Sequence, residues 1–195
     1  MGEVRGAHVN QILTEEQEQS IRARVATIPG FPVPSVSFTD ITPVLEHDPA
    51  AFRALVLELC APHRADPPDA VVLIESFGYL FGAPLAYELS CRLVLARKEG
   101  GLPRRKLRQA YGMGYDPNQR TLEMHQDALG PGDRVLIVDD ILATGGTAWA
   151  AYELVSQAGA EVIGMSFAFE LRRFRERARG WFEIRRVPVY TVVQL

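Results

Sequence analysis

The chain has almost no cysteine: Cys60 and Cys91 are the two in 195 residues. They lack the spacing of a metal site and are too few for a disulfide framework, which excludes a small stapled scaffold and makes a reducing cytoplasm the expectation. No run of eighteen apolar residues occurs, so no membrane-spanning helix is expected. Met1 to His8 lacks the apolar core of a signal peptide. Neither sign of charge prevails. The 24 acidic residues against 21 Lys and Arg leave a formal net charge of -3, which gives no reason to expect a nucleic-acid partner. The chain has no G-x-x-x-x-G-K followed by Ser or Thr, and no G-x-G-x-x-G opens a helix, which disfavours P-loop and dinucleotide chemistry. No internal repeat, low-complexity tract or second-domain boundary is found, so one domain is expected over 1–195.

What is present is a globular composition, 47% hydrophobic and 23% charged, with periodic segments. Thr14 with Gln17 predicts the capping box of a helix reaching Val25. Pro29, Pro32 and Pro34 then force an extended, irregular stretch. Asp48 predicts the N-cap of a helix over 49–60, with Phe52, Leu55, Val56 and Leu59 on one face. Ala70 to Ile74 is a continuous apolar run, the pattern of a strand buried on both faces. Helices are predicted over 81–89 and 148–158, the second closed by Gly159. Strands are predicted over 92–96, 121–125, 135–138, 161–169 and 187–193. Gly100 to Asp116 shows little periodicity and reads as a mobile flap; Glu170 to Arg179 reads as a solvated, charged helical run. Alternating strands and helices predict the α/β class, with a mostly parallel central sheet flanked by helices. In such sheets ligands bind beyond the carboxyl ends of the strands.

One stretch carries chemistry. The apolar run from Val135 ends in Asp139 and Asp140, and the small-residue loop Ala143-Thr144-Gly145-Gly146-Thr147 leads into a helix. Strand, loop and helix N-terminus in this order make an anion pocket. Glycine lets the backbone approach a phosphate closely, and free N–H groups at the helix start favour its charge. Thr144 and Thr147 add hydroxyl donors. The adjacent carboxylates suit vicinal sugar hydroxyls or a divalent cation. Together these parts describe a site for a sugar that carries a phosphate.

The segment Val138-Asp-Asp-Ile-Leu-Ala-Thr-Gly-Gly-Thr147 resembles the signature of the type I phosphoribosyltransferases. Four further segments are similar to one branch, the adenine phosphoribosyltransferases: Ile28 to Leu45, Glu75 to Gly82, Leu95 to Lys98, and Leu122 to Leu129. The likeness runs over about 20–195. It implies a small N-terminal hood within 20–45 and a flexible flap at about 100–120. The implied reaction displaces pyrophosphate from C1 of phosphoribosyl pyrophosphate by a purine ring nitrogen, with Mg2+ bound mainly through the sugar diphosphate. A purine-salvage enzyme with small-molecule substrates follows, with no nucleic acid or membrane partner. The family usually forms homodimers. By the same resemblance Ala143 to Thr147 hold the 5-phosphate, and Asp139 and Asp140, counted as catalytic with flap residue Tyr115, hold the ribose hydroxyls. Glu75, Ser76, Arg97 and Lys98 face the pyrophosphate. Ser37, Phe38, Thr39 and Leu171 form the base site, with Phe38 above the ring and Leu171 below.

The chain departs from the family pattern at four places. Thr39 stands where relatives have Arg, Ser37 where they have a small apolar residue, Phe77 where they have Arg in Ser-Arg-Gly, and Gly114 where they have Glu. Glu99, Gly100 and Gly101 replace further basic residues, with Arg104, Arg105 and Lys106 nearby as substitutes, and Asp116 beside Tyr115. The departures cluster on the base, pyrophosphate and flap sides. Three readings are open on the residues: a purine phosphoribosyltransferase acting on adenine or a related purine, a diverged enzyme for a modified base or another sugar diphosphate, and a non-catalytic nucleotide sensor.

Overall fold

A computed structural model of the protein describes residues 13–112 and 120–195. The flap positions Gly114, Tyr115 and Asp116 lie outside the described residues. The first helix, α1 (Glu15–Arg24), carries the expected capping box: the Gln17 N–H donates to Thr14 Oγ1 at 3.2 Å and the Thr14 N–H to Gln17 Oε1 at 2.9 Å. The proline-bearing stretch is more ordered than expected. Two short strands, β1 (Ala26–Pro29) and β2 (Ser37–Asp40), pair antiparallel on either side of it, followed by α2 (Thr42–His47). Pro29 closes β1, and Pro32 and Pro34 fall in the connection between the strands, where a missing N–H costs no ladder bond.

Helix α3 (Pro49–Cys60) starts as predicted, with Asp48 Oδ1 accepting from the Ala51 N–H at 2.9 Å. Leu55, Val56 and Leu59 are buried, while half-buried Phe52 packs edge-on against Phe81 at 5.6 Å. Then come β3 (Ala70–Ile74), α4 (Gly78–Leu89), β4 (Arg92–Lys98), β5 (Lys106–Tyr111), β6 (Arg120–His125), β7 (Arg134–Leu142), α5 (Gly146–Gln157), β8 (Glu161–Glu170), α6 (Arg175–Ile184) and β9 (Val189–Gln194). Helix α4 begins three residues earlier than predicted. Among the described residues seven strands form one sheet in the order β5-β6-β4-β3-β7-β8-β9, parallel from β4 to β9, with β6 and β5 antiparallel at one edge.

Side chains of successive strand residues point to opposite faces, which splits the core in two. Val72, Ile74 and Ile137 pack under α5 and α6; Val71, Leu73, Leu136 and Val138 pack under α3 and α4. All five residues of β3 are buried, as its unbroken apolar run predicts.

Two expectations are corrected here. The stretch 100–116, expected to lack regular structure, contains β5. Its order comes from both faces: Leu107 and Tyr111 pack on the apolar cluster under α5, while Lys106 and Arg108, two apart on the other face, both reach Glu123 on β6, at 2.8 and 3.0 Å. The charged run from Glu170 is likewise not one helix. Glu170 ends β8, Arg172–Phe174 forms a 3-10 turn, and α6 follows. Glu170 is fully buried, where Arg179 holds it with two bonds of 2.7 and 3.0 Å.

Candidate active site

Strand β7 extends through both aspartates to Leu142, beyond the predicted end at Val138. Asp139 is 8% exposed, and its Oδ1 accepts the Asp140 N–H at 2.9 Å. Burial, and then the neighbouring Asp140 charge, push the Asp139 carboxyl well above the usual carboxylate range. Burial also raises Asp140, and the positive Lys98 opposes the rise at both. Lys98 at the end of β4 therefore acts on the same pair of carboxylates.

The loop after β7 keeps its two glycines for separable reasons. Gly145 has φ +82°, a left-handed backbone, and a Cβ there would sit 3.3 Å from Ala178 Cα on α6. A Cβ on Gly146 would sit 2.8 Å from the Gly112 carbonyl. No side chain caps the start of α5, so its first N–H groups stay available to a ligand in the loop.

A cavity of about 570 Å³ opens beside this loop. Its walls bring together Ser37, Phe38 and Thr39 of β2, Asp139, Ala143, Thr144, Gly145 and Thr147 of the loop, and Leu171 after β8. Residues from three separated segments, expected to form base and phosphate sites, thus share one space. Phe38 is 37% exposed and packs edge-on against Phe31 at 5.2 Å, while Leu171 is nearly buried. Sequence reasoning missed Arg173, Phe174 and Arg177 on the same wall. An apolar Phe174 three residues after Leu171, inside a run of arginines, was the available signal.

Glu75, Ser76, Arg97 and Lys98 meet at the adjacent carboxyl ends of β3 and β4, beside this cavity rather than in its walls. Glu75 Oε2 accepts from Arg97 Nε at 2.9 Å and from the Lys98 N–H at 3.1 Å, and Arg97 also donates to the Gly101 carbonyl at 2.8 Å. Burial alone would raise the Glu75 carboxyl, but the Arg97 guanidinium and the Lys98 N–H hold it below the usual range. The Glu75–Ser76 peptide is cis. The turn leans directly on β7: a Cβ on Gly78 would lie 2.8 Å from Asp139 Oδ1 and 3.0 Å from the Val138 carbonyl. Half-buried Phe77 packs against the apolar cluster under α3 and α4. Arg104 and Lys106, expected as nearby substitutes for an arginine there, are paired elsewhere. Both bond within the β5–β6 region, Arg104 through a solvent-exposed pair with Asp127 at 2.7 Å and Lys106 with buried Glu123. Among the described residues no group of three or more His, Cys, Asp or Glu could hold a metal ion.

The phosphoribosyl transferase domain family matches residues 50–188. The adenine phosphoribosyltransferase of Anaeromyxobacter dehalogenans is 47% identical over 152 residues, covering 78% of this chain and 87% of that protein. The protein of the same name from Carboxydothermus hydrogenoformans is 48% identical over 160 residues, covering 82% and 92%. The crystal structure of adenine phosphoribosyltransferase from Rhodothermus marinus superposes with a TM-score of 0.84 at 42% identity, over 93% of this chain and all of that one. The Giardia lamblia enzyme, complexed with 9-deazaadenine, gives 0.84 at 33% identity, over 91% and 97%. Fold, loop and relatives agree, and the chain belongs to the type I phosphoribosyltransferases, as a pentosyltransferase of the adenine phosphoribosyltransferase branch.

Proposed function

We propose that the protein joins adenine to the 5-phosphoribosyl group of phosphoribosyl pyrophosphate, giving AMP and pyrophosphate. The observation that carries this is the single cavity that runs from the aromatic face of Phe38, past Asp139, to the loop Ala143–Thr147. Its two ends match the two ends of a nucleotide. The base ring lies between the Phe38 and Leu171 walls, where apolar faces replace water. The loop N–H groups and the Thr144 and Thr147 hydroxyls take the 5-phosphate. Asp139 and Asp140 accept the ribose hydroxyls, and their charge opposes the positive charge that develops at C1 as the pyrophosphate bond breaks. The purine nitrogen forms the new bond to C1 as the bond to pyrophosphate breaks, and its proton passes to the departing pyrophosphate or to water. Ser76 and Lys98 face the departing pyrophosphate, with Arg97 held in place by Glu75.

The donors fit Mg2+ held mainly by the substrate, because Asp139 and Asp140 offer hard oxygens and, among the described residues, no third carboxylate, His or Cys completes a protein cage around them. Bound there, it would neutralise diphosphate charge. The catalytic role expected of Tyr115 falls outside the described residues. We assign the enzyme to purine salvage in the cytoplasm, as a homodimer.

A related purine is the second reading, favoured by one contact. The guanidinium at the base end comes from Arg173, whose Nη2 donates to the Ser37 carbonyl at 3.3 Å, and not from position 39. Pyrophosphate release with phosphoribosyl pyrophosphate, Mg2+ and adenine, hypoxanthine or guanine separates the readings. Turnover with adenine alone is expected; turnover with another purine alone moves the assignment to that base, and none with any sinks both.

A further inference from the structure

Arg177 has no part in the roles assigned so far, yet it sits against the phosphate loop. It lines the 570 Å³ cavity on one side of Thr144 and Gly145, and also a second cavity of about 430 Å³ on the other side of the same two residues. Its helix is pressed onto the loop: Ala178, the next residue, occupies the space a Gly145 side chain would need, 3.3 Å away. One turn further along α6, Trp181 packs on Trp149 of the first turn of α5, with ring centroids 6.2 Å apart. The helix is held in this position from behind, by the two bonds from Arg179 to buried Glu170 and by Thr191 Oγ1 on the same carboxylate at 3.2 Å.

The arginines of this segment therefore divide. Arg175 and Arg179 are drawn to Glu170, and Arg173 bonds the Ser37 carbonyl. Arg177 is exposed and forms no hydrogen bond or ion pair with another described residue. A solvated lysine or arginine elsewhere would need no account. Here a dianion is to be placed beside Asp139, in a loop whose own donors are neutral N–H and hydroxyl groups. A guanidinium at the rim supplies the missing positive charge with donors in a fixed fork.

We infer that Arg177 binds the 5-phosphate of substrate and product, closing the loop site from the α6 side. The inference rests on the reading of Ala143–Thr147 as the phosphate loop. It is tested by calorimetric binding of AMP and of adenosine, which differ by the phosphate alone. Arg177→Ala is expected to weaken AMP by at least about 10-fold with adenosine unchanged, and Arg177→Lys to recover part of the loss. The melting temperature should hold in Arg177→Ala and fall in Arg179→Ala, which separates contact with ligand from support of the helix. Equal AMP affinity in Arg177→Ala and the parent, with selective loss of AMP in the Thr144→Ala, Thr147→Ala double variant, overturns the inference and leaves the loop reading standing. A double variant that keeps the full preference for AMP overturns the loop reading, and the inference with it.

Discussion

The ribose-phosphate side and the pyrophosphate side of the site are built in different ways. The first is one continuous segment, Val135 to Thr147, in which strand, carboxylates, loop and helix start follow in order. The second is gathered from the ends of β3 and β4 and from a hairpin edge, and is held by side chains that pair across those segments: Glu75 with Arg97, and Glu123 with Lys106 and Arg108. By the resemblance, the first keeps the family signature, and Phe77 and Glu99 are the departures expected on the second. A continuous segment leaves little freedom, because each residue is at once backbone geometry and ligand donor. A site assembled from pairs can exchange its members as long as charge and space are conserved.

Substitutions should expose that contrast. The largest effect is expected in the continuous segment: Asp140→Asn with Thr144→Ala should lower AMP affinity by roughly 100-fold or more, by removing charge-assisted and hydroxyl contacts together, with an unchanged circular dichroism spectrum. Unchanged affinity would dissolve the distinction between the two sides. Gly78→Ala comes next, since it strikes the seam between them. A Cβ 2.8 Å from Asp139 Oδ1 must displace the turn or the carboxylate. A cost of about 2 kcal/mol is expected, with a melting temperature lower by several degrees and a reduced kcat.

Glu123→Gln tests the assembled side. Glu123 is fully buried, and removing its charge takes the buried carboxylate from Lys106 and leaves solvated Arg108 with Glu99 alone, at about 2 kcal/mol, most of it on the Lys106 side. The pH profile supplies a second reading of the same pair. Burial alone would raise Glu123, but Lys106, the Gly100 N–H and Arg108 hold it below the ordinary 4.5. A lowered folded value means that the folded state binds fewer protons, so this stability is present above about pH 4.5 and is lost as pH falls through the lowered value. Thermal melts from pH 7 to 3 should fall less steeply in Glu123→Gln than in the parent.

Asp139 has the opposite sign and the smallest expected effect on stability. Its folded value is raised by burial and by Asp140, so its ionised form opposes folding at neutral pH and the penalty disappears as pH falls. Asp139→Asn keeps an acceptor for the Asp140 N–H. It should therefore raise the melting temperature at pH 7, by roughly 2–4 °C for each 1 kcal/mol relieved, while catalysis falls. A lower melting temperature would mean that the Asp139 carboxylate stabilises the fold, contrary to its burial.

How far the molecule was legible follows from where the signal lies. Strand β3 and the stretch from Val135 to Gly159 are readable because period, apolar run, glycine and helix start lie next to one another in the chain. Strand β5 was hidden, because one of its faces is charged and depends on a buried carboxylate that follows 15 residues after Arg108 in sequence yet stands directly opposite it across the hairpin. Arg173, Phe174 and Arg177 were hidden for a related reason. In sequence they belong to a charged run, and only in the fold does β8 end at Glu170, with that residue buried against Arg179 and the residues after it facing the cavity.

By itself, then, the sequence determined the α/β alternation, the anion loop and the paired carboxylates, all written within single segments where backbone preference and neighbouring residues suffice. Only the tertiary structure decided which side chains close that loop from outside. It joined Phe38 and Leu171 to Thr144 in one cavity, set Gly78 against Asp139, and left Arg177 beside Gly145 without a partner among the described residues while its neighbours were drawn to Glu170. Those relations depend on distance in space and on competition among charges for buried partners, and neither is expressed by order along the chain.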